Sequence, residues 1–395
     1  MDGDSLEVVI VGGGIGGMTA ALALSQAGVS VRLYEQAPQF SEIGAGIMLT
    51  PNATRVLIHL GVGAALAANA MRPPASIYRR YDNAELVGEA PLADVIEKKY
   101  GAPYFHIHRT DLLDLLAGAV RSQSNAELFT NHRATECRRE TAKATVNFAN
   151  GATDSADLLL ACDGVHSTLR ANVLTSAPPR FRGQVAWRGL VPANGLPASV
   201  TTESSVVWIG PDRHIVQYAV RDGSLVNYVA IAAKDEWQED GWNRPSTISE
   251  VTDEFEGWHD DVVALLRATP ADALYKWGLF DRDPLERWVF GRVALLGDAA
   301  HPMLPFMAQG SAMAMEDAMI ITRCLDAADS VESALDDYQA TRLGRTAQII
   351  TRSRGQTNLY QKLTGNKAEQ RAQSLDPVFG YDAVNCPLGR EGETI

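Results

Sequence analysis

The sequence predicts an α/β chain, α+β overall, in which a Rossmann-like parallel-sheet domain is interrupted by an inserted antiparallel sheet and followed by a helical C-terminus. Three observations predict it. Apolar runs at 8–11, 157–161 and 293–296 each end in a glycine- or acid-bearing turn, the first and third running on into a helical pattern, the order of buried parallel strands feeding helices. Between the second and third runs, segments 206–209, 215–220 and 225–232 alternate like strands with one covered face. From Val331 onward the pattern is helical.

The first element is the run Val8 to Val11, followed at once by Gly12, Gly13, Gly14, Ile15, Gly16 and Gly17. Helix formers continue to Ser25, Gly28 suits a left-handed C-cap, and a second strand spans 29–34. It ends at Glu35, 18 residues beyond Gly17, beside Gln36. Glycines at 12, 14 and 17 give GxGxxG, whose missing side chains let backbone approach a pyrophosphate at a helix N-terminus, while the later acid reaches a ribose hydroxyl. Strand, glycines, helix, strand and acid in this order predict dinucleotide binding. No second GxGxxG occurs in the chain, so a separate nicotinamide domain is not expected.

The second element, 157–161, runs into Asp163 and Gly164 of a DGxxSxxR pattern ending at Arg170. The third ends in Gly297, Asp298, Ala299, Ala300, His301 and Pro302, and Gly310 opens an apolar helix. In the intervening sheet His214, Val216 and Tyr218 fall on one face, and a His and a Tyr facing one pocket suit deprotonation of a phenol. His301 either borders the ligand or orients its loop. Arg180, Arg182 and Arg188 form a basic cluster that suits reduced nicotinamide or a carboxylate but reads more readily as solvated surface, and Trp237, Trp242 and Trp258 read as packing.

Composition narrows the function. With 395 residues the chain has room for two to three domains. Its 35 basic and 48 acidic residues leave a net charge of −13, which disfavours nucleic acid and anionic membranes. Cys137, Cys162, Cys324 and Cys386 lack the spacing of a zinc or dithiol site, so no metal is expected. They suit a reducing cytoplasm, and the acidic start Met1, Asp2, Gly3, Asp4 is unlike a secretion signal. Residues 8–31 hold no charge over 24 positions, long enough to span a bilayer, but their glycines favour strand, turn and helix.

The three motifs together make the chain resemble the class A FAD-dependent aromatic hydroxylases, of the salicylate hydroxylase and 6-hydroxynicotinate 3-monooxygenase type, over nearly its whole length. Local likenesses add to it: GAGIMLTPN from Gly44, His108 and Arg109 before Asp111, QVAWRGL from Gln184, and MAQGSAMAMED from Met307. The resemblance implies FAD as cofactor, NADH or NADPH as co-substrate and dioxygen as oxidant. It implies a dinucleotide site at Gly12, Gly14, Gly16, Gly17, Glu35 and Gln36 that also draws on Asp163, Gly164 and Arg109, with Asp298 on the ribityl chain and Pro302 and Gly310 beside the flavin. It places His214 and Tyr218 as catalytic residues, with Met48, Ser205, Val216 and Phe306 in the substrate pocket. Met48 and Phe306 stand where hydroxynicotinate-hydroxylating members have His, and Ser205 where they have Cys, giving a more apolar pocket that favours a benzene ring or a pyridine with a longer substituent.

The expected organisation is an FAD-binding domain from 1–172 and 273–345, a substrate domain at 173–272 and a C-terminal helical segment at 346–395. The expected activity is hydroxylation of a small hydroxylated aromatic or pyridine acid through a 4a-hydroperoxyflavin. Candidates are 6-hydroxynicotinate, 6-hydroxy-3-succinoylpyridine, salicylate and 3-hydroxybenzoate, and attack at a carboxylate-bearing carbon would also expel carbon dioxide. A flavin-dependent oxidase or dehydrogenase and a non-catalytic flavin-binding regulator are the alternatives. A monomer or homodimer is expected.

Overall fold

The computed structural model describes residues 6–40, 45–174, 177–237, 243–356 and 375–389. Strand β1 (Glu7–Val11) leads into helix α1 (Ile15–Gln26), which returns the chain to β2 (Ser30–Tyr34), parallel to β1. The sheet built on this unit runs β18 (Val289–Phe290), β19 (Val293–Leu295), β11 (Leu158–Ala161), β1, β2, β7 (Ala126–Phe129). All neighbours are parallel except β18 and β19.

Ten of the twelve α1 residues are buried, so this is a core helix, apolar all round. It packs against α5 (Arg109–Arg121) and α9 (Gly310–Ala327). The uncharged stretch 8–31 is therefore strand, helix and strand, and no helix among the described residues is long and apolar enough to cross a membrane. A meander of β8 (Ala134–Arg139), β9 (Ala144–Phe148) and β10 (Thr153–Ala156) packs on β1 and β11.

The second sheet runs β16 (Asn243–Pro245), β17 (Tyr275–Asp281), β12 (Arg180–Pro192), β15 (Leu225–Ala233), β14 (Arg213–Val220), β13 (Ser205–Gly210), β4 (Ala75–Arg80), β5 (Leu86–Pro91). It is antiparallel except where β13 meets β4. Its membership is wider than the 173–272 insert: β4 and β5 precede that segment and β17 follows it. Each continues a hydrogen-bond ladder that the insert alone would leave as a bare edge.

Alternation sorts this sheet's side chains. Trp187, Trp208, Tyr228 and Ala230 face α7 (Ile248–Glu254) and α8 (Asp260–Arg267), where Phe255 and Trp258 complete a core and Trp237 packs on its margin. Trp242 lies outside the described residues. Ala186, Val207 and Ile231 turn the other way, toward Leu304 and Phe306.

A two-stranded pair, β3 (Gly46–Leu49) and β6 (Phe105–His108), lies close to the second sheet. A Cβ on Gly46 would fall 2.6 Å from the Tyr218 ring, and the Gly46 N–H donates to Asn227 Oδ1 at 2.7 Å, so only glycine permits this approach. Helices α2 (Pro51–His59), α3 (Gly63–Asn69), α4 (Ala93–Tyr100) and α6 (Thr168–Val173) complete the first half.

Helix α10 (Val331–Gln356) runs unbroken across the expected 345/346 boundary. The chain from Leu375, including α11 (Asp376–Phe379), docks back through arginines that donate to its carbonyls: Arg55 to Tyr381, Arg345 to Pro377 and Val378, and Arg323 to Cys386.

Candidate active site

The glycine turn after β1 opens on a cavity of about 640 Å³ lined by Gly12, Gly13, Gly14, Glu35, Gln36, Asp163 and Gly164. Gly12 has φ +110°, and a Cβ there would sit 2.3 Å from the Cys162 carbonyl oxygen. A Cβ on Gly17 would sit 2.0 Å from the Gly12 carbonyl oxygen, and one on Gly16 3.0 Å from Ala314 Cβ. Gly16 and Gly17 therefore serve helix packing and do not line the cavity, while Gly12 to Gly14 present bare backbone to it.

Both Glu35 oxygens accept backbone N–H groups, from Gly13 at 2.7 Å and Ala37 at 2.8 Å, which fixes the carboxylate at the cavity wall. Asp163 turns toward the start of α6, accepting from the Ser167 hydroxyl and from the Leu169 N–H at 3.0 Å, and burial raises its pKa. Phe40, His132 and Arg133 also line the space. Sequence reasoning missed them, since no motif marks residues gathered from two separate loops.

A second cavity, about 520 Å³, lies against the face of the second sheet turned away from α7 and α8. Strand β14 contributes His214, Val216 and Tyr218, β13 contributes Ser205 and Val207, and Met48 and Phe306 close over them. Lys99 and Tyr100 of α4, both bonded to Asp376, stand at one end with Leu375 and Phe379. Burial raises the Tyr218 phenol above its ordinary pKa, against the charges of Arg188 and Arg109, so it is a neutral hydrogen-bonding group.

The three arginines read together as surface part company here. Arg182 pairs with buried Asp281, and exposed Arg180 lies 3.5 Å from Asp283. Arg188 instead lines the cavity with its guanidinium 5.3 Å from the Trp277 ring centroid. Among the described residues no carboxylate pairs with it, and its Nε has no hydrogen-bond partner. Desolvation lowers the pKa of Arg188, and desolvation together with Arg188 itself pushes Arg109, on the same cavity, down to about 10.

Asp298 lies exposed just past β19, and a Cβ on Gly310 would lie 4.0 Å from its Oδ1, so the acid sits near the N-terminus of α9. Its charge reaches Arg109 and Arg170. Pro302 is buried beside it in sequence, and neither these two nor Gly310 lines either cavity. His301 orients its loop: it is 1% exposed, with Nε2 2.6 Å from Asp317 Oδ2. Arg342 then joins Asp317 to Glu316 at 2.7 Å each, and Asn52 ties Glu316 to Gln309 at the end of the loop over the cavity.

The family described as FAD binding domain matches residues 5–353. A 3-amino-4-hydroxybenzoate 2-monooxygenase of Streptomyces platensis is 36% identical over 97% of each chain, and a 6-hydroxynicotinate 3-monooxygenase of Pseudomonas fluorescens 35% identical over 97% of each. The chain is an FAD-dependent aromatic-ring monooxygenase. A solved relative, HpxO of Klebsiella pneumoniae with FAD and uric acid, superposes with a TM-score of 0.80 at 27% identity over 95% of this chain and 93% of that one.

A monooxygenase of this family must hold a dinucleotide and an aromatic ring in one chain, and the residues present fit both. Glycine backbone at a helix N-terminus suits paired phosphates, and the fixed Glu35 carboxylate suits a ribose. The second cavity offers flat apolar walls with a few convergent polar groups, the usual make-up of a site for a small ring.

Proposed function

We propose that this monooxygenase hydroxylates a small hydroxylated aromatic or pyridine acid, using NADH or NADPH and dioxygen. The observation that carries the reading is Arg188, a desolvated guanidinium on the cavity wall for which no described residue supplies an anion. A desolvated cation of this kind calls for a carboxylate from the ligand, and the guanidinium fork matches one.

In this reading Gly12 to Gly14 and Glu35 hold the adenosine end of FAD, and Arg109, Asp298 and the α9 N-terminus at Gly310 attend its flavin end. Bound FAD supplies the redox chemistry, accepting hydride from reduced nicotinamide and activating dioxygen. His214 accepts the proton of a ring hydroxyl, making the ring a better electron donor, and Tyr218 holds the resulting oxygen by hydrogen bonding. Met48, Val216 and Phe306 supply apolar walls that exclude water and favour a benzene ring or a pyridine with a longer substituent over hydroxynicotinate.

The parallel-sheet unit then serves as the FAD domain and the second sheet as the substrate domain. Free cysteines, among the described residues, agree with work in a reducing cytoplasm. The test is NADH and NADPH oxidation by the FAD-loaded enzyme against 3-amino-4-hydroxybenzoate, 6-hydroxynicotinate, 3-hydroxybenzoate and salicylate, with product analysis. A hydroxylated acid formed in step with NAD(P)H use supports the reading, and failure with every acid removes the substrate class.

A further inference from the structure

Behind the substrate cavity, and not lining it, is His106 of β6. It is 0% exposed, packed between Tyr218 at 4.4 Å and Tyr104 at 5.7 Å between ring centroids. Its Nε2 lies 3.3 Å from Ser205 Oγ, and its Nδ1 has no hydrogen-bond partner among the described residues. Ser205 is 2% exposed, lines the cavity, and makes no other side-chain hydrogen bond among those residues.

These positions restrict where the protons go. A buried imidazole without a counter-charge stays neutral, and burial holds His106 at about 3. It therefore has one N–H and one bare nitrogen. A proton on Nδ1 would be a buried donor with nothing to meet, and such N–H groups are rarer and more costly than bare acceptors. The proton belongs on Nε2, where it is donated to Ser205 Oγ. With that oxygen accepting from behind, the Ser205 hydroxyl proton turns to the cavity.

We infer that His106 is a positioning residue that fixes Ser205 as a hydrogen-bond donor to the substrate, so the pocket selects rings bearing an acceptor where they meet Ser205. The acceptor is a phenolate or carboxylate oxygen, a lactam carbonyl or a bare ring nitrogen. A ring that presents only a donor there is disfavoured, because it would leave the Ser205 hydroxyl proton without an acceptor. The inference rests on the proposed substrate class for its ligand, and on the His106–Ser205 geometry alone for its proton.

Two measurements separate these. In FAD-loaded enzyme carrying 15N-labelled histidine, the signal lost in His106→Asn should report a neutral ring protonated on Nε2 and unchanged from pH 5 to pH 8. A proton on Nδ1, or titration in that range, overturns the inference. In the second, the dissociation constants of 6-hydroxynicotinate, 3-hydroxybenzoate and 3-amino-4-hydroxybenzoate are read from the FAD absorption change.

Ser205→Ala should weaken the acid that binds best by roughly tenfold, as loss of one hydrogen bond does. His106→Phe should weaken it similarly alone and add nothing in the Ser205→Ala background. An undiminished effect of His106→Phe in that background would mean a packing role only and overturns the inference. His106→Gln, whose amide can still donate, should recover part of the loss. If the wild type binds none of the acids, the substrate class fails, and the ring's proton still decides the claim about His106.

Discussion

Arg188 stands with its guanidinium 5.3 Å from the Trp277 ring centroid, held by a π face and by no carboxylate among the described residues. That arrangement keeps the charge oriented and available to a ligand. Arg188→Met, which preserves length and removes charge, should raise KM for the aromatic acid by roughly tenfold to a hundredfold, the loss of one charge-assisted contact. FAD content, measured after gel filtration, should stay at the wild-type level.

His214 and Tyr218 share one face of β14, but burial keeps the phenol protonated, so the two side chains should behave differently on substitution. His214→Ala should lower kcat by about a hundredfold, in the range of general-base loss, with FAD retained. Tyr218→Phe should raise KM more than it lowers kcat. Wild-type hydroxylation by His214→Ala at every pH would remove the base role.

Gly12→Ala places a methyl 2.3 Å from the Cys162 carbonyl oxygen at φ +110°, where backbone and not a flexible side chain must give way. The purified variant should be colourless, with little FAD recovered on reconstitution. Glu35→Gln keeps the shape and loses the charge, and should weaken FAD binding measured by fluorescence titration by about tenfold.

The His301, Asp317, Arg342 and Glu316 cluster is buried as a unit: both carboxylates and the guanidinium are 0% exposed. Burial raises Asp317, but His301 and Arg342 outweigh it and hold the acid below its ordinary pKa. Arg342→Met removes the cation shared by two buried carboxylates, leaving Glu316 to Arg345 and Asp317 to His301, and should destabilise the protein by about 3 kcal/mol, read as a fall in the urea midpoint.

His106 predicts the sign of one acid effect. Its native pKa of about 3 lies below that of an unfolded histidine, so between them only the unfolded chain takes up the proton. Its contribution is full above the unfolded value and is lost as pH falls from about 6.5 toward 3. His106→Phe should remove about 1.4 kcal/mol per pH unit from the acid slope of stability between pH 6 and pH 4, measured by urea unfolding of the FAD-loaded protein.

Local patterns carried much of this site. The β1, glycine turn, α1, β2 and Glu35 succession is written contiguously, and the period of two in β14 lines up His214, Val216 and Tyr218 without tertiary information. Arg188 could not be told apart from its neighbours in the basic cluster, because its difference from Arg182 lies in Asp281, 99 positions away, which pairs with one and not the other. His106 takes its meaning from Ser205, also 99 positions distant. The place of β4 and β5 in the second sheet likewise depends on a parallel pairing with β13 that no local pattern records.

The most direct test of the central claim is oxygen balance. FAD-loaded enzyme would be given NADH, air and each aromatic acid in turn, with NADH consumed, hydroxylated product and hydrogen peroxide measured together. The account predicts one acid that speeds NADH oxidation and yields nearly one hydroxylated product per NADH, a yield that Arg188→Met recovers only at much higher acid concentration. NADH oxidation that returns only hydrogen peroxide, whatever acid is present, would contradict it.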